Sequence, residues 1–235
     1  MNKRAIFILG SIAISFFSHF SHAGTKPDSL IHVLKNCTID AVKFRLEIKL
    51  IILYTAQNNY QSAKTHAIEA SKLASKINDP ELIIQANGRL GAIYRELNQY
   101  DSSFTCLFKN VEIAESKKDD QRSSEAYVSV GALFLRMKNY NKADFYYNKA
   151  LKIKEGTKDV RTIAKIYSKL ATVQVAPKKY DEASVYLNKA EKLIEGIKEP
   201  MMLANVYGNL GRIHLEMGDF DKAILYLEKN RKIRY

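Results

Sequence analysis

An aromatic residue returns at every fortieth position of this 235-residue chain: Tyr60, Tyr100, Tyr140, Tyr180 and Phe220. A small residue follows each by three: Ala63, Ser103, Ala143, Ala183 and Ala223. A fixed period of roughly 20–50 residues restricts the fold more than composition does, because each unit must bury its apolar face on a copy of itself. Further columns share the period. Nine residues before each aromatic stand Ile51, Gly91, Gly131, Ala171 and Gly211, each preceded by Leu or Val. Seven after it stand Ala67, Leu107, Tyr147, Leu187 and Leu227. Steps of three, four and seven are the stripe of an amphipathic helix. Glycine in mid-helix costs about 1 kcal/mol against alanine, so its return implies close approach of two backbones. The sequence alone places the recurrent aromatic in that contact, as the first core residue of each second helix.

Breaks recur as well. Polar dipeptides such as Asn58-Asn59, Asn98-Gln99 and Gly218-Asp219 precede each aromatic, and Asp79, Asp119 and Asp159 fall between units. A short carboxylate there accepts from the orphan N–H groups of a first helical turn. Pro80 and Pro200 suit the first helical position, where no N–H is missed. The unit is helix, tight turn, helix.

These residues carry a family resemblance. Leu90-Gly91-x-x-Tyr94 with Tyr100, Ser103 and Leu107 resembles the tetratricopeptide repeat, as do Val130-Gly131-x-x-Phe134 with Tyr140 and Ala143, and Leu210-Gly211 with Phe220 and Ala223. That family has a period of 34 residues, so the resemblance is to its 40-residue variants with longer helices. It implies an all-α, right-handed superhelical solenoid of antiparallel helix pairs. Five repeats are expected: 40–79, 80–119, 120–159, 160–199 and 200–235, with 24–39 as an N-terminal capping helix.

Ahead of these, Lys3 and Arg4, an apolar run over 5–17 and Ser21-His22-Ala23 have the three parts of a secretory signal peptide. Cleavage after Ala23, hence an exported, periplasmic or extracytoplasmic product, is expected; an uncleaved anchor is the alternative. The formal net charge is +12, of which Lys3 and Arg4 carry +2. The lysines are spread over every repeat rather than gathered in a block, which reads as a solvated surface, with anionic envelope surfaces next and nucleic acid excluded. Two cysteines, Cys37 and Cys106, are too few for a disulfide scaffold; they read as free thiols, with a single bridge as the alternative.

Catalytic patterns are lacking: no phosphate loop, no nucleophile elbow, and no histidine pair at metal-ligand spacing. The expectation is a non-catalytic binding scaffold without cofactor or metal. The resemblance implies a concave groove on the first helices that takes a protein or peptide, and Arg95, Glu96, Arg136, Arg212 and Glu216 are its candidate residues. The arrangement is similar to the extracytoplasmic repeat region of bacterial sensor and regulator proteins. An exported sensory region of a longer signalling protein is therefore the first expectation, and an envelope assembly factor that self-associates through an uncapped last repeat the second.

Overall fold

The computed structural model describes residues 27–234. The leader expected over 1–23 and its cleavage site lie outside the described residues, as does Tyr235. The described residues form α-helices throughout, without a strand. Two compact units are present, one ending at Asn78 and one beginning at Asp79.

In the first unit, α1 (Pro27–Asn36) lies against the hairpin of α2 (Asp40–Ala56) and α3 (Tyr60–Ile77). Leu30 of α1 shares a small core with Leu46 and Leu50. Repeat one also replaces a tyrosine pair of later repeats: buried Glu47 meets His66 at 2.7 Å, and His66 stacks on Tyr54.

The second unit stacks four helix pairs in chain order: α4 (Pro80–Glu96) with α5 (Tyr100–Ser116), α6 (Asp120–Arg136) with α7 (Tyr140–Glu155), α8 (Val160–Val175) with α9 (Tyr180–Glu195), and α10 (Pro200–Glu216) with α11 (Phe220–Arg234). Each pair also packs on the next, so two overlapping apolar clusters run through it, one centred on Val130, Leu133 and Leu170, the other on Leu187, Leu210 and Ile213. The architecture is all-α, built of antiparallel helix pairs.

The turns explain the rigid period. Asn58, Asn78, Asn98, Lys118, Lys138, Lys178, Lys198 and Gly218 have positive φ, every twentieth residue with one gap at 158. A left-handed residue there lets the following N–H bond back to the carbonyl that ends the helix, as Asn139 does to Phe134 at 2.8 Å and Asp119 to Ala114 at 3.0 Å. The same residue then starts the next helix. The Asn139 side chain accepts from the Lys142 N–H, and that of Asp119 from the Arg122 N–H. At Asn59, Asp119, Asn139 and Asp219 one residue closes one helix and caps the next, so an insertion there would break both; Gln99 and Lys179 close a helix without a side-chain cap. At the gap, Lys154 substitutes: its buried ammonium meets Asp159 at 3.3 Å, and Thr157 bonds back to the Lys154 carbonyl.

The glycines do bring helices together, but against a different partner from the one expected. A Cβ at Gly91 would lie 2.7 Å from Leu107, at Gly131 2.9 Å from Tyr147, and at Gly211 2.8 Å from Leu227. The knob is thus the residue seven after the recurrent aromatic. The aromatic itself opens the second helix and is only half-buried in Tyr60, Tyr100, Tyr140 and Tyr180; Phe220 is 63% exposed. Tyr100 reaches back to donate to the Asn98 side chain at 2.9 Å, an expedient of the turn rather than of the core. The small residue three later is the buried one.

Candidate binding groove

Seen from the glycine, residues two and six positions earlier lie roughly 160° and 120° around the helix, on the side turned away from the paired helix. Those positions line the grooves. Between α4 and α6 lies a cavity of about 660 Å³, bordered by Gln85, Gly88 and Arg89 on one side and Arg122, Glu125 and Ser129 on the other. Between α6, α8 and α10 lies a second of about 630 Å³, bordered by Val128, Ser129, Lys165, Lys169, Met202 and Asn205. Glu125 and Ser129 belong to both, so the two are one channel along the first helices of the second unit.

Its charges are unevenly satisfied. Arg122 is paired with Glu81 and with Asp119, the latter at 3.3 Å, and Glu125 accepts from Gln121. Arg89, Lys165 and Lys169 are exposed to the channel and engage no carboxylate or ring. These three cations share the lining with the Glu125 carboxylate, which accepts from the neutral amide of Gln121, and otherwise with small, polar or apolar groups. The channel is chemically suited to an extended chain bearing carboxylates, since exposed ammonium and guanidinium groups bind these by charge-assisted hydrogen bonds.

The floor has one built feature. Asn110 of α5, in a column where three repeats have alanine, donates its amide N–H to the Ile84 carbonyl at 2.8 Å beneath Gly88. The fifth repeat repeats the device, with Asn230 on the Ala204 carbonyl beneath Gly208. Glycine on one helix accompanies asparagine on the other in both cases, because the longer amide takes the room a side chain would need.

The residues named from sequence lie elsewhere. Arg95 stands roughly 40° from the glycine, toward the paired helix; it is half-buried, pairs with Glu96 at 3.0 Å and lies near the Tyr147 hydroxyl. Arg136 and Glu216 are exposed at the far ends of α6 and α10, Glu216 within 3.5 Å of the Tyr180 hydroxyl. Arg212 borders a tight crevice with Thr172, Val175 and Asn209. None of the five lines the channel. Arg89, Lys165 and Lys169 stand two and six residues before the glycine column, while Glu96, Arg136 and Glu216, five after it, lie roughly 140° round on the same side but at the helix ends.

Elsewhere burial raises the hydroxyls of the core tyrosines. Burial first, and then hydrogen bonding to Glu115, pushes the Tyr127 hydroxyl up to about 12; burial and Glu191 do the same for Tyr207. Burial raises the Cys106 thiol, and both cysteines are free. His214 is buried and stacked on Tyr226, with Asp219 at 3.5 Å. Among the described residues no three His, Cys, Asp or Glu side chains are grouped to hold a metal ion, and no helix is long and apolar enough to cross a membrane.

A sequence profile described as Tetratricopeptide repeat matches residues 82–156 and 162–234, more than half of the chain. No curated protein matches it. Among solved structures, BtubC (BKLC) from P. vanneervenii is similar with a TM-score of 0.70 at 18% identity, over 88% of this chain and 86% of that one. A Rap protein complexed with competence and sporulation factor has a TM-score of 0.75 at 16% identity, over 88% of this chain and 57% of that one. A Signal Transduction ATPase with Numerous Domains, with a tetratricopeptide repeat sensor, from Pyrococcus horikoshii has a TM-score of 0.69 at 20% identity, over 85% of this chain and 32% of that one. The chain thus spans just over half of the second and about a third of the third.

Proposed function

Because this chain belongs to the tetratricopeptide repeat family, whose repeats are protein-interaction scaffolds, we propose that its channel holds an extended peptide segment through carboxylates set against Arg89, Lys165 and Lys169. The observation that carries this is one continuous channel with three cations that pair with no carboxylate among the described residues. The reading requires no catalytic group. Panning a random peptide library on the purified chain tests it. Acidic sequences should be enriched, and Lys165→Glu with Lys169→Glu should abolish their capture. Enrichment without acidic bias, or capture indifferent to that double substitution, would move the binding site off this wall.

We further infer an exported sensory region. The leader-like residues 1–23 support export, and two of the similar structures are a complex with competence and sporulation factor and a protein with a tetratricopeptide repeat sensor. N-terminal sequencing of protein recovered from the cell envelope should begin at Gly24, and coding sequence beyond Tyr235 should supply an apolar segment of about 20 residues. An unprocessed cytoplasmic product would exclude export. Self-association is the second reading, supported by the exposed Phe220, Ile224 and Leu227 of α11, of which Leu227 corresponds to Leu187 and Tyr147, both buried. A concentration-dependent dimer that Ile224→Glu dissociates would favour it.

A further inference from the structure

The outer face of the second helices repeats a different pattern from the groove. Phe145, Val185 and Leu225 stand 40 residues apart on α7, α9 and α11, and they are 54%, 53% and 51% exposed. Four residues on, one turn along the same face, come Lys149, Lys189 and Lys229; three further on come Lys152, Lys192 and Lys232. Each member of the first lysine column is held over a tyrosine of its own repeat: Lys149 is 4.9 Å from the Tyr127 ring, Lys189 5.4 Å from Tyr167, and Lys229 4.9 Å from Tyr207. Rings thereby fix three cations in a row. The second column, Lys152, Lys192 and Lys232, meets neither ring nor carboxylate, so the packing of the repeat does not account for it.

Nor is the pattern a requirement of the helix pair. In α5 the same three positions hold Thr105, Lys109 and Glu112. The acids of α7, α9 and α11 stand beside the lysine columns rather than in them: Asp181, Glu182 and Asp221 sit in first turns, where the helix dipole favours them, Asp144 adjoins Phe145, Glu228 adjoins Lys229, Glu155 and Glu195 come three residues after Lys152 and Lys192, and Glu191 lies 3.8 Å from Lys229. Protein interfaces are depleted in lysine and organised around rigid aromatic or arginine anchors in pockets. Isolated apolar side chains among long, mobile cations are instead the composition that an anionic lipid surface selects, with the apolar groups entering the headgroup boundary and the ammonium groups meeting lipid phosphates.

The geometry points to this outer face of α7, α9 and α11 as a docking surface for an anionic lipid layer, separate from the peptide channel on α4, α6, α8 and α10. The chain contains no tryptophan, so Phe145→Trp gives a single reporter that reads this face whatever the apolar segment near the N-terminus does. Its emission should shift to the blue, and be quenched by brominated acyl chains, on vesicles of phosphatidylglycerol mixed with phosphatidylcholine. Phosphatidylcholine vesicles alone should leave it unchanged. Each lysine near a charged membrane is worth about five-fold in affinity, so Lys149→Glu, Lys189→Glu and Lys229→Glu together should weaken binding at least a hundred-fold, on the order of what three such terms give. If that variant loses its helical circular dichroism, Lys152→Glu, Lys192→Glu and Lys232→Glu replace it, since those side chains pack on nothing. No shift on anionic vesicles, an equal shift on neutral ones, or a shift with soluble polyglutamate and none with vesicles would overturn the assignment.

Discussion

Gly131→Ala tests the interlock that sets the repeat. The new methyl would lie 2.9 Å from both Cδ1 and Cε1 of Tyr147 and 3.2 Å from its Cγ, inside the roughly 3.5 Å at which carbon atoms rest. Two terms oppose each other. Alanine favours a helix interior over glycine by about 1 kcal/mol. Overpacking a tight core costs about 1–3 kcal/mol. The ring decides between them: one edge of it makes all three contacts, Tyr147 is fully buried, and turning the ring about its own axis removes none of the crowding at Cγ. The upper half of the overpacking range applies, and the net loss should be about 1–2 kcal/mol.

The fourth repeat supplies the control, because it pairs Ala171 with Leu187, both buried. Gly131→Ala combined with Tyr147→Leu reproduces that pair and removes a buried hydroxyl that has no partner. Urea unfolding of the wild type, both single variants and the double variant closes a mutant cycle. The midpoint of Gly131→Ala should fall with its slope unchanged, and the double variant should be more stable than the sum of the singles by at least about 1 kcal/mol. A Gly131→Ala protein as stable as the parent would refute the interlock. So would single penalties that add to within about 0.5 kcal/mol.

Lys138 has φ of 59°, a conformation that costs a side-chain-bearing residue about 1 kcal/mol or more, so Lys138→Gly should raise the thermal midpoint, whereas Lys158→Gly, at a turn without a left-handed residue, should not. In alkaline titration followed by tyrosinate absorbance, Tyr127, Tyr147 and Tyr207 should ionise only near pH 12. Their folded values lie above the ordinary 10, so the protonated form is the one folding favours. That stabilisation is complete below pH 10 and lost as pH rises towards about 12; Tyr127→Phe should flatten this part of the stability curve, and ionisation of all tyrosines near pH 10 in the folded protein would contradict it.

Periodicity made the helices, their caps and the glycine contact legible, since all of these are local or repeat at a fixed interval. The identity of the knob was not legible. Tyr100 and Leu107 are both apolar columns at the same period, and only the direction of the side chain separates a turn tyrosine from a core leucine. Lysine in a left-handed turn was equally invisible, because Lys118, Lys138 and Lys178 carry none of the preference that Asn58 or Gly218 displays. The channel was missed for a geometric reason. The groove side runs along each first helix, and Glu96, Arg136 and Glu216, five after the glycine column, share its angle but stand at the helix ends, whereas the channel lies nearer mid-helix at Arg89, Lys165 and Lys169.

A repeat protein contains its own comparison set, and departures from a column separate packing from binding. Where a packing column changes, a neighbour changes with it. Asn110 comes with Gly88 and Asn230 with Gly208, and Glu47 meets His66 where later repeats stack tyrosine on tyrosine, as in Tyr167 with Tyr186. Such paired changes keep buried polar groups matched and volumes constant, which is what a close-packed interior demands. Solvent-facing columns carry no such demand, and there the expectation reverses. In the channel the column of Lys165 holds Gln85, Glu125 and Asn205, and that of Lys169 holds Arg89, Ser129 and Asn209, a variation that would let each repeat meet a different part of a ligand. On the outer face the opposite holds. Lys152, Lys192 and Lys232 are the same at three exposed positions with no internal partner, and a surface that is uniform from repeat to repeat suits a partner that is itself uniform. Heterogeneity in the channel and monotony on the outer face thus match the two proposed partners, the first a sequence and the second a charged layer.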